Sequence, residues 1–218
     1  MLRKELEKYI VNHIDEEDEV LRELDRETHL KVLGSRMISG HLQGAVLTML
    51  SKMIRPEKIL EIGTFTGYSA ICLAKGLQPG GRLITIEIDD ELENLAARFI
   101  KKAGFENTIE QRIGPALEII PGLADSFDLV FIDAHKPEYS AYYNAVFNKV
   151  SPGGYIVADN TLWSGKVLEK PAADDWQTQG IIAFNSLIKN DNRVEKVILP
   201  LRDGMTVIRK KVPIYSSI

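Results

Sequence analysis

Acidic and amide side chains end two apolar runs of this sequence. FDLVFID (127–133) ends at Asp133, and GGYIVAD (153–159) ends at Asp159, which Asn160 follows directly. Both runs are typical of buried parallel strands, and neighbouring strands lie about 4.8 Å apart with their carboxyl ends at one edge of the sheet. Two bare carboxylates at that distance repel each other, and a cation between them removes the repulsion. The pattern therefore predicts a metal site, to which Asn160 adds a neutral oxygen.

An all-oxygen set with two negative charges suits Mg²⁺ first, with Mn²⁺ or Ca²⁺ as alternatives, and suits structural zinc poorly. Lys136 follows Asp133 by three residues and can reach the same pocket. A neighbouring dication disfavours its ammonium form, which suits this lysine to act as a base. Taken singly, each acid is also typical of a turn or helix cap, and the lysine of a solvated surface.

A turn with two glycines follows the first apolar run, where α/β sheets bind nucleotides. It reads EIGTFTG from Glu61, and Glu87 ends the next run 24 residues after Gly63, close to the offset at which an acid meets an adenosine ribose. The turn lacks the third glycine of a dinucleotide site, and Glu61 would oppose a phosphate and suit a cation. S-adenosylmethionine (SAM) carries adenosine and a sulfonium but no phosphate, so it fits both features. A tight turn that needs only small residues is the alternative.

Two further positions have a functional and a plain interpretation. Ala116, in GPALEIIP, is small enough to let an adenine lie close, but the segment also fits an ordinary helix start with proline in its first turn. Trp163 could wall the pocket against a planar substrate ring, or simply pack. Together the candidate residues support a hypothesis in which two adjacent substrate hydroxyls chelate the metal, Lys136 takes a proton, and the oxyanion attacks the methyl group of the sulfonium in line.

The elements that must position these side chains alternate between apolar runs and helical stretches from residue 58 onward. This alternation predicts an α/β fold with a doubly wound, mostly parallel sheet, in which the order 3-2-1-4-5 makes the strands of Asp133 and Asp159 neighbours. A loop over 161–173 and a helix around 179–190 follow, and an Asp-Gly turn predicts a closing antiparallel hairpin. The seven strand runs are KILEIG, RLITIEID, TIEQRIG, FDLVFID, GGYIVAD, RVEKVILPL and MTVIRKK.

Helical periodicity marks the N-terminal part of the chain. Apolar residues at helical spacing, beginning with Leu2 and Leu6, predict two amphipathic helices in the first 35 residues, and the acidic run DEEDE (15–19) predicts a solvated junction. A third helix is predicted over 41–54, with Ser39 placed to cap it and Pro56 to end it. We expect one domain over 1–218, with a helical cap over 1–56 and a cofactor- and metal-binding core over 57–218.

Composition narrows the class of protein. Apolar residues make up 44% and charged residues 27% of the chain, which fits a globular protein with a sizeable core. No apolar run approaches the roughly 18 residues of a membrane span, and the charged start does not resemble a signal peptide, so we expect a cytoplasmic protein. The single cysteine, Cys72, excludes an internal disulfide and a cysteine-built metal site, and it is predicted to lie in the core. A net charge of −4 argues weakly against a nucleic-acid surface.

The motifs EIGTFTGYS, GPAL, FIDAHKPEY and GGYIVADNTLW, with the intervals between them, resemble the cation-dependent SAM O-methyltransferases that include caffeoyl-CoA and catechol O-methyltransferases, here a bacterial-type member. The likeness runs from about Met37 to the C-terminal hairpin. It implies a seven-stranded class I methyltransferase sheet, a homodimer, metal ligation by Asp133, Asp159 and Asn160, and Lys136 near the reacting hydroxyl. The cofactor contacts it implies are Met37, Ser39, Glu61, Gly63, Thr64, Tyr68, Ser69, Glu87, Ala116, Asp133 and His135.

Two positions depart from the plant members of this family. His135 stands where they have a second Asp in the D-A-D-K motif, and Ser164 stands where they have Asn after the D-N-T-L-W run, at a position that faces substrate. We therefore expect Trp163 and Ser164 on the substrate side, with a catechol-like or caffeoyl-like small molecule as acceptor.

Three alternatives remain open from the sequence. Some bacterial relatives methylate 5-hydroxyuridine in tRNA, for which Arg3, Lys4, Lys31 and Arg36 could contact phosphate. A non-catalytic nucleotide-binding module would not need the metal residues for its activity. An NAD-dependent dehydrogenase is disfavoured by the missing third glycine.

Overall fold

A computed structural model describes residues 4–213 of the chain. Leu2 and Arg3 lie outside the described residues. The α-helices are α1 Lys4–Val11, α2 Glu19–Lys31, α3 Gly40–Ile54, α4 Tyr68–Ala74, α5 Glu93–Lys102, α6 Ala116–Gly122, α7 Tyr139–Phe147 and α8 Trp176–Asn190. The strands are β1 Lys58–Ile62, β2 Arg82–Glu87, β3 Ile109–Ile113, β4 Phe127–Ile132, β5 Val150–Asp159, β6 Val194–Leu199 and β7 Met205–Lys210.

The seven strands form one sheet in the order β3-β2-β1-β4-β5-β7-β6. The first five of these are parallel, β7 is antiparallel to β5, and β6 is antiparallel to β7. This confirms the predicted doubly wound sheet with its C-terminal hairpin. In the pairing of β4 with β5, Ile132 lies opposite Ala158, so Asp133 and Asp159 follow side by side at the carboxyl edge.

Helices cover both faces of the sheet, which explains why its central strands are apolar almost throughout. Residues that alternate along a strand point to opposite faces. Leu60 and Ile62 of β1 therefore belong to the apolar cluster under α6, α7 and α8, whereas Ile59 belongs to the cluster under α2 to α5. Cys72 is buried in the second cluster, as predicted.

The N-terminal helices are α1 and α2, as the amphipathic pattern predicts, but the acidic junction between them does more than face solvent. Asp18 accepts a hydrogen bond from the Val20 amide at the start of α2 and contacts Lys75 at 3.2 Å. Glu17 Oε1 accepts a 2.6 Å bond from the Tyr68 hydroxyl of α4. The prediction of a solvated junction is wrong for Glu17, because this carboxylate fastens the N-terminal helices to α4.

The structure departs from the sequence prediction at two other places. The predicted loop over 161–173 contains short 3₁₀ turns within Trp163–Leu168, interrupted by a kink at Ser164 and Gly165. Helix α8 begins at Trp176, ahead of the predicted 179, because Asp175 caps it through the Thr178 amide at 3.0 Å. Ser39 precedes α3 as predicted, but its side chain makes no capping hydrogen bond. Within residues 4–213, no helix is both long enough and apolar enough to cross a membrane.

Candidate active site

The site lies at the carboxyl edge of the sheet, around the two neighbouring acids. Asp159 ends β5 with only 3% of its surface exposed, and Asp133 follows β4 in a partly buried position. Burial, and then the charge of Asp133, raise the pKa of Asp159 to about 7. The predicted juxtaposition of the two carboxylates is found, and the charge of Asp133 adds to the effect of burial on the pKa of Asp159.

Lys136 forms an ion pair with one of the two acids, Asp133. Its Nζ atom donates to Oδ1 of Asp133 at 2.7 Å and to the hydroxyl of Tyr139 at 2.8 Å. The Tyr139 hydroxyl in turn donates to the Asp159 carbonyl at 3.1 Å, and burial raises its pKa well above the ordinary value. Tyr139 was not identified from the sequence as a site residue. Its spacing of three residues from Lys136, which is about one helical turn, was a usable signal.

Gln43 of α3 contacts the other acid. This side chain is 1% exposed, and its Nε2 atom donates to Oδ2 of Asp159 at 2.6 Å. Its Oε1 atom accepts from Arg202 at 3.1 Å, and the same guanidinium reaches the carbonyls of Ile38 and Ser39. Nothing in the sequence pattern pointed to Gln43 or Arg202.

The metal residues predicted from the sequence are suited to a hard cation by their chemistry. In residues 4–213, no group of three or more His, Cys, Asp or Glu side chains is arranged to hold a metal ion. The predicted set accordingly depends on two carboxylates and the amide of Asn160, which follows β5 in the left-handed conformation at φ 57°. The contacts of Lys136 and Gln43 each engage one oxygen of a carboxylate and not the other. This donor set fits a hard divalent cation that keeps some positions for water or substrate.

The segment after Asn160 is held by the turn between β6 and β7. The backbone amides of Leu162 and Trp163 donate to the Asp203 carbonyl at 2.9 and 3.2 Å, and the amide of Ser164 donates to the Asp203 carboxylate. Trp163 is partly buried and packs against the core, whereas Ser164 is exposed. Both residues have positive φ, and the bonds to Asp203 hold the segment in this conformation.

A buried carboxylate marks the side predicted to hold the cofactor. Glu61 of β1 is fully buried and accepts a 2.6 Å bond from the Thr85 hydroxyl at Oε2, whereas its Oε1 atom has no hydrogen-bond partner among residues 4–213. Burial raises its pKa to about 8, and the charges of Asp133 and Glu87 act in the same direction. An orphaned buried oxygen is unusual in a folded protein and fits a missing cationic or donor group of a ligand.

The β1–α4 turn is shaped by packing as well as by any ligand. Gly63 has φ +100°, and a Cβ atom there would lie 2.1 Å from the Asp133 carbonyl. The Thr64 and Thr85 hydroxyls are 2.5 Å apart. Glu87 Oε2 accepts from the Phe65 amide at 2.6 Å, which ties the end of β2 to this turn. Gly63 is thus required because the end of β4 leaves no room for a side chain there. The sequence did not reveal this reason.

Four predicted cofactor residues are exposed or have their side chains engaged in other contacts. Tyr68 turns its hydroxyl to Glu17, and Ala116 begins α6 with its side chain in the core cluster. Met37 is 62% exposed, and His135 is exposed at the start of the 3₁₀ helix Lys136–Glu138. Their contact with a cofactor stays a prediction.

Comparison of this chain with known proteins identifies the family to which it belongs. The model of a family described as O-methyltransferase matches residues 11–211. The chain belongs to this family. The resemblance seen in the sequence is confirmed, and with it the class of S-adenosylmethionine-dependent O-methyltransferases. This assignment disfavours the dehydrogenase and non-catalytic alternatives.

Relatives of this O-methyltransferase include plant and bacterial enzymes. Caffeoyl-CoA O-methyltransferase 1 of Eucalyptus globulus is 35% identical over 204 residues, which cover 89% of this chain and 82% of that protein. Catechol O-methyltransferase of Niastella koreensis is 36% identical over 174 residues, covering 76% and 78%.

Solved structures agree with the fold of this O-methyltransferase. The O-methyltransferase TomG from Streptomyces achromogenes, involved in tomaymycin synthesis and solved in complex with SAM, has a TM-score of 0.88 at 31% identity, covering 97% of this chain and 100% of that one. The O-methyltransferase from Bacillus cereus in complex with SAH has a TM-score of 0.89 at 30% identity, covering 95% and 97%.

Proposed function

We propose that this O-methyltransferase moves the methyl group of S-adenosylmethionine to a hydroxyl of a catechol-like small molecule, with a divalent cation held by Asp133, Asp159 and Asn160. The observation that carries the proposal is the pair of adjacent carboxylates beside Lys136, whose Nζ atom lies 2.7 Å from Asp133 Oδ1. Mg²⁺ is the first candidate for the cation, and Mn²⁺ or Ca²⁺ would satisfy the same oxygen ligands.

Glu61 supports a cationic methyl donor. Its buried Oε1 atom has no hydrogen-bond partner in the described part of the chain, and its carboxyl group can ionise at lower energetic cost when a positive group approaches. S-adenosylmethionine offers such a group. The complexes of the Streptomyces and Bacillus relatives with SAM and SAH are consistent with this choice.

Lys136 is proposed as the base that takes the proton of the substrate hydroxyl. Asp133 and Tyr139 hold its Nζ atom, so the position of the base is fixed before substrate binds. A bound divalent cation would supply a Lewis acid that lowers the pKa of a chelated hydroxyl. The bond from substrate oxygen to methyl carbon then forms as the sulfur–carbon bond breaks, and the proton resides on Lys136. Alignment in a site that excludes water supplies most of the acceleration.

The acceptor side is proposed to include Trp163 and Ser164. The family relatives named for caffeoyl-CoA and catechol favour a small aromatic diol. Ser164 is exposed beside partly buried Trp163, which supports a role for Ser164 at the outer part of a bound substrate. The homodimer and the cytoplasmic location stay predictions, as does the boundary between cap and core at residue 56.

Labelled methyl transfer to a panel of acceptors tests this proposal. Catechols, caffeoyl esters and tRNA that carries 5-hydroxyuridine are each incubated with labelled S-adenosylmethionine, with and without EDTA. We expect transfer to a small diol that EDTA abolishes and added Mg²⁺ restores. Transfer that EDTA leaves intact would contradict the metal assignment, and transfer to tRNA alone would contradict the acceptor.

A pair of variants makes the test specific to the site. Asp159→Ala should abolish transfer to the diol, because it removes a proposed ligand. Asp125→Ala is the matched control, since Asp125 lies at the opposite end of β4 and pairs with Lys58 and Arg82. An Asp159→Ala chain as active as this control would refute the role of the carboxylate.

A further inference from the structure

We propose that Gln43 is a positioning residue for Asp159, and that Arg202 holds Gln43 in the orientation that this role requires. The inference rests on the proposed function, because Asp159 matters here as a metal ligand. It extends the site to helix α3 and to the turn between β6 and β7, neither of which carries a proposed ligand.

The contact between Gln43 and Asp159 is short and excluded from water. Gln43 is 1% exposed, Asp159 is 3% exposed, and the distance from Nε2 to Oδ2 is 2.6 Å. A hydrogen bond to a buried carboxylate is stronger than one between neutral groups, and it fixes the direction of the acceptor. It leaves the other carboxylate oxygen, Oδ1, for a further partner. Gln43 thereby fixes the orientation of the Asp159 carboxylate.

Arg202 determines which end of the Gln43 amide faces Asp159. An amide has a donating nitrogen and an accepting oxygen, and a half-turn exchanges them. The Arg202 guanidinium can only donate, and it lies 3.1 Å from Oε1 of Gln43. In the reversed orientation, the amide oxygen would face the carboxylate and the amide nitrogen would face the guanidinium, so both contacts would be repulsive. Arg202 therefore keeps the donating end toward Asp159.

Arg202 is itself held in place from both sides of the site. Its backbone has φ 46° in the β6–β7 turn, and its guanidinium donates to the carbonyls of Ile38 and Ser39 just before α3. The neighbouring Asp203 holds the segment from Leu162 to Ser164. One turn thus joins the start of α3, the Asp159 carboxylate and the proposed substrate segment.

The experiment measures Mn²⁺ affinity of the full chain by electron paramagnetic resonance, without substrate or turnover. Gln43→Met keeps the length of the side chain and removes both polar atoms. We expect its dissociation constant for Mn²⁺ to rise about tenfold or more, because removal of a group that orients a metal ligand typically weakens binding by that amount. Ser51→Ala is the matched control: Ser51 lies on the same helix, is fully buried and donates to the Leu73 carbonyl at 2.6 Å, away from the carboxylates.

A second variant separates positioning from helix packing. Arg202→Met leaves Gln43 in place but frees its amide to turn, so it should also weaken Mn²⁺ binding. If Arg202 acts through Gln43, the double variant Gln43→Met/Arg202→Met binds Mn²⁺ no more weakly than Gln43→Met alone. Arg209→Met, which removes an arginine paired with Glu195 in the same hairpin, should bind Mn²⁺ as the unaltered chain does.

The outcomes distinguish this inference from the metal site itself. Asp159→Asn should lose most of its Mn²⁺ affinity; if it binds Mn²⁺ normally, the proposed metal site is wrong. If Asp159→Asn fails to bind but Gln43→Met binds as tightly as Ser51→Ala, the metal site stands and the positioning role is overturned. Additive effects of Gln43→Met and Arg202→Met would overturn the role of Arg202. Should Gln43→Met not fold, Arg202→Met and its control still decide the question.

Discussion

Lys136 lies between an acidic and a phenolic side chain, and each neighbour fixes part of its position. Asp133 accepts at 2.7 Å and Tyr139 accepts at 2.8 Å, and these two bonds match the two N–H donors of the neutral amine, the form of lysine that can act as a base. The lone pair of that amine is left to take the proton of a substrate hydroxyl. Tyr139 also connects Lys136 to the backbone of Asp159 through a 3.1 Å bond. The proposed base is therefore connected to the carboxylate of Asp133 and to the backbone of Asp159.

Replacing Lys136 by methionine should separate catalysis from binding. We expect Lys136→Met to lower the single-turnover rate of methyl transfer by about 10² or more, the usual range for loss of a general base, while the affinity for S-adenosylhomocysteine changes little. Rapid-quench kinetics and calorimetric titration measure the two quantities. Lys149→Met, which removes a lysine that donates to the Leu123 carbonyl away from the site, is the control. A Lys136→Met chain with the rate of this control would rule out the base.

Helix α8 presses against the 3₁₀ turn that carries Lys136. A Cβ atom on Gly180 would lie 2.5 Å from both the Lys136 carbonyl oxygen and the Pro137 Cα atom. Backbone atoms at that distance cannot move aside as a flexible side chain can. The close approach of α8 thus fixes the position of this turn, and with it the position of the Lys136 side chain.

Gly180→Ala should therefore disturb both stability and activity. We expect the free energy of unfolding to fall by about 1–3 kcal/mol, the usual effect of overpacking, and the rate of methyl transfer to fall because the Lys136 turn is displaced. Urea unfolding and steady-state kinetics measure these changes. Gly122→Ala is the control, since a Cβ atom there would meet nothing within 4 Å. If both variants unfold at the same urea concentration, the contact with α8 is not a tight one.

Elements were predicted well where one physical rule governs the pattern. The central strands are buried on both faces, so runs such as KILEIG and FDLVFID indicated strands and the order of the sheet. The apolar pattern predicted an element's boundary less well where a capping residue determines it, as Asp175 does for the start of α8. In the segment after Asn160, bonds to the distant Asp203 hold a kinked turn, and no local signal for those bonds exists.

Contacts across the whole molecule limited what the sequence revealed about the site. The sequence predicted the proximity of Asp133, Asp159 and Lys136, because the carboxyl ends of parallel strands lie at one edge of the sheet. Gln43 and Asp159 are 116 residues apart, and Arg202 and Ser39 are 163 residues apart. Periodicity tells which face of an element is buried, but not which side chain of another element meets it. Their pairing follows only from the packed structure.

A buried acid should make the stability of the whole molecule depend on pH. The pKa of Glu61 is raised to about 8 in the folded chain, mainly by burial, whereas an unfolded glutamate has a pKa of about 4.3. Between these values the folded chain binds more protons than the unfolded chain, so the free energy of unfolding falls as pH rises. The burial of Asp159, whose pKa is raised to about 7, acts in the same direction. Each group contributes a slope of at most about 1.4 kcal/mol per pH unit.

Glu61→Gln isolates the contribution of one group. Urea unfolding of the chain, without metal or cofactor, is measured between pH 5.5 and 8. We expect the unaltered chain to lose stability across this range and Glu61→Gln to lose less, because the amide cannot ionise at the buried position. Glu118→Gln, on the exposed side of α6, should follow the unaltered chain. Parallel curves for Glu61→Gln and the unaltered chain would mean that the Glu61 carboxyl does not titrate in this range, which would contradict its raised pKa.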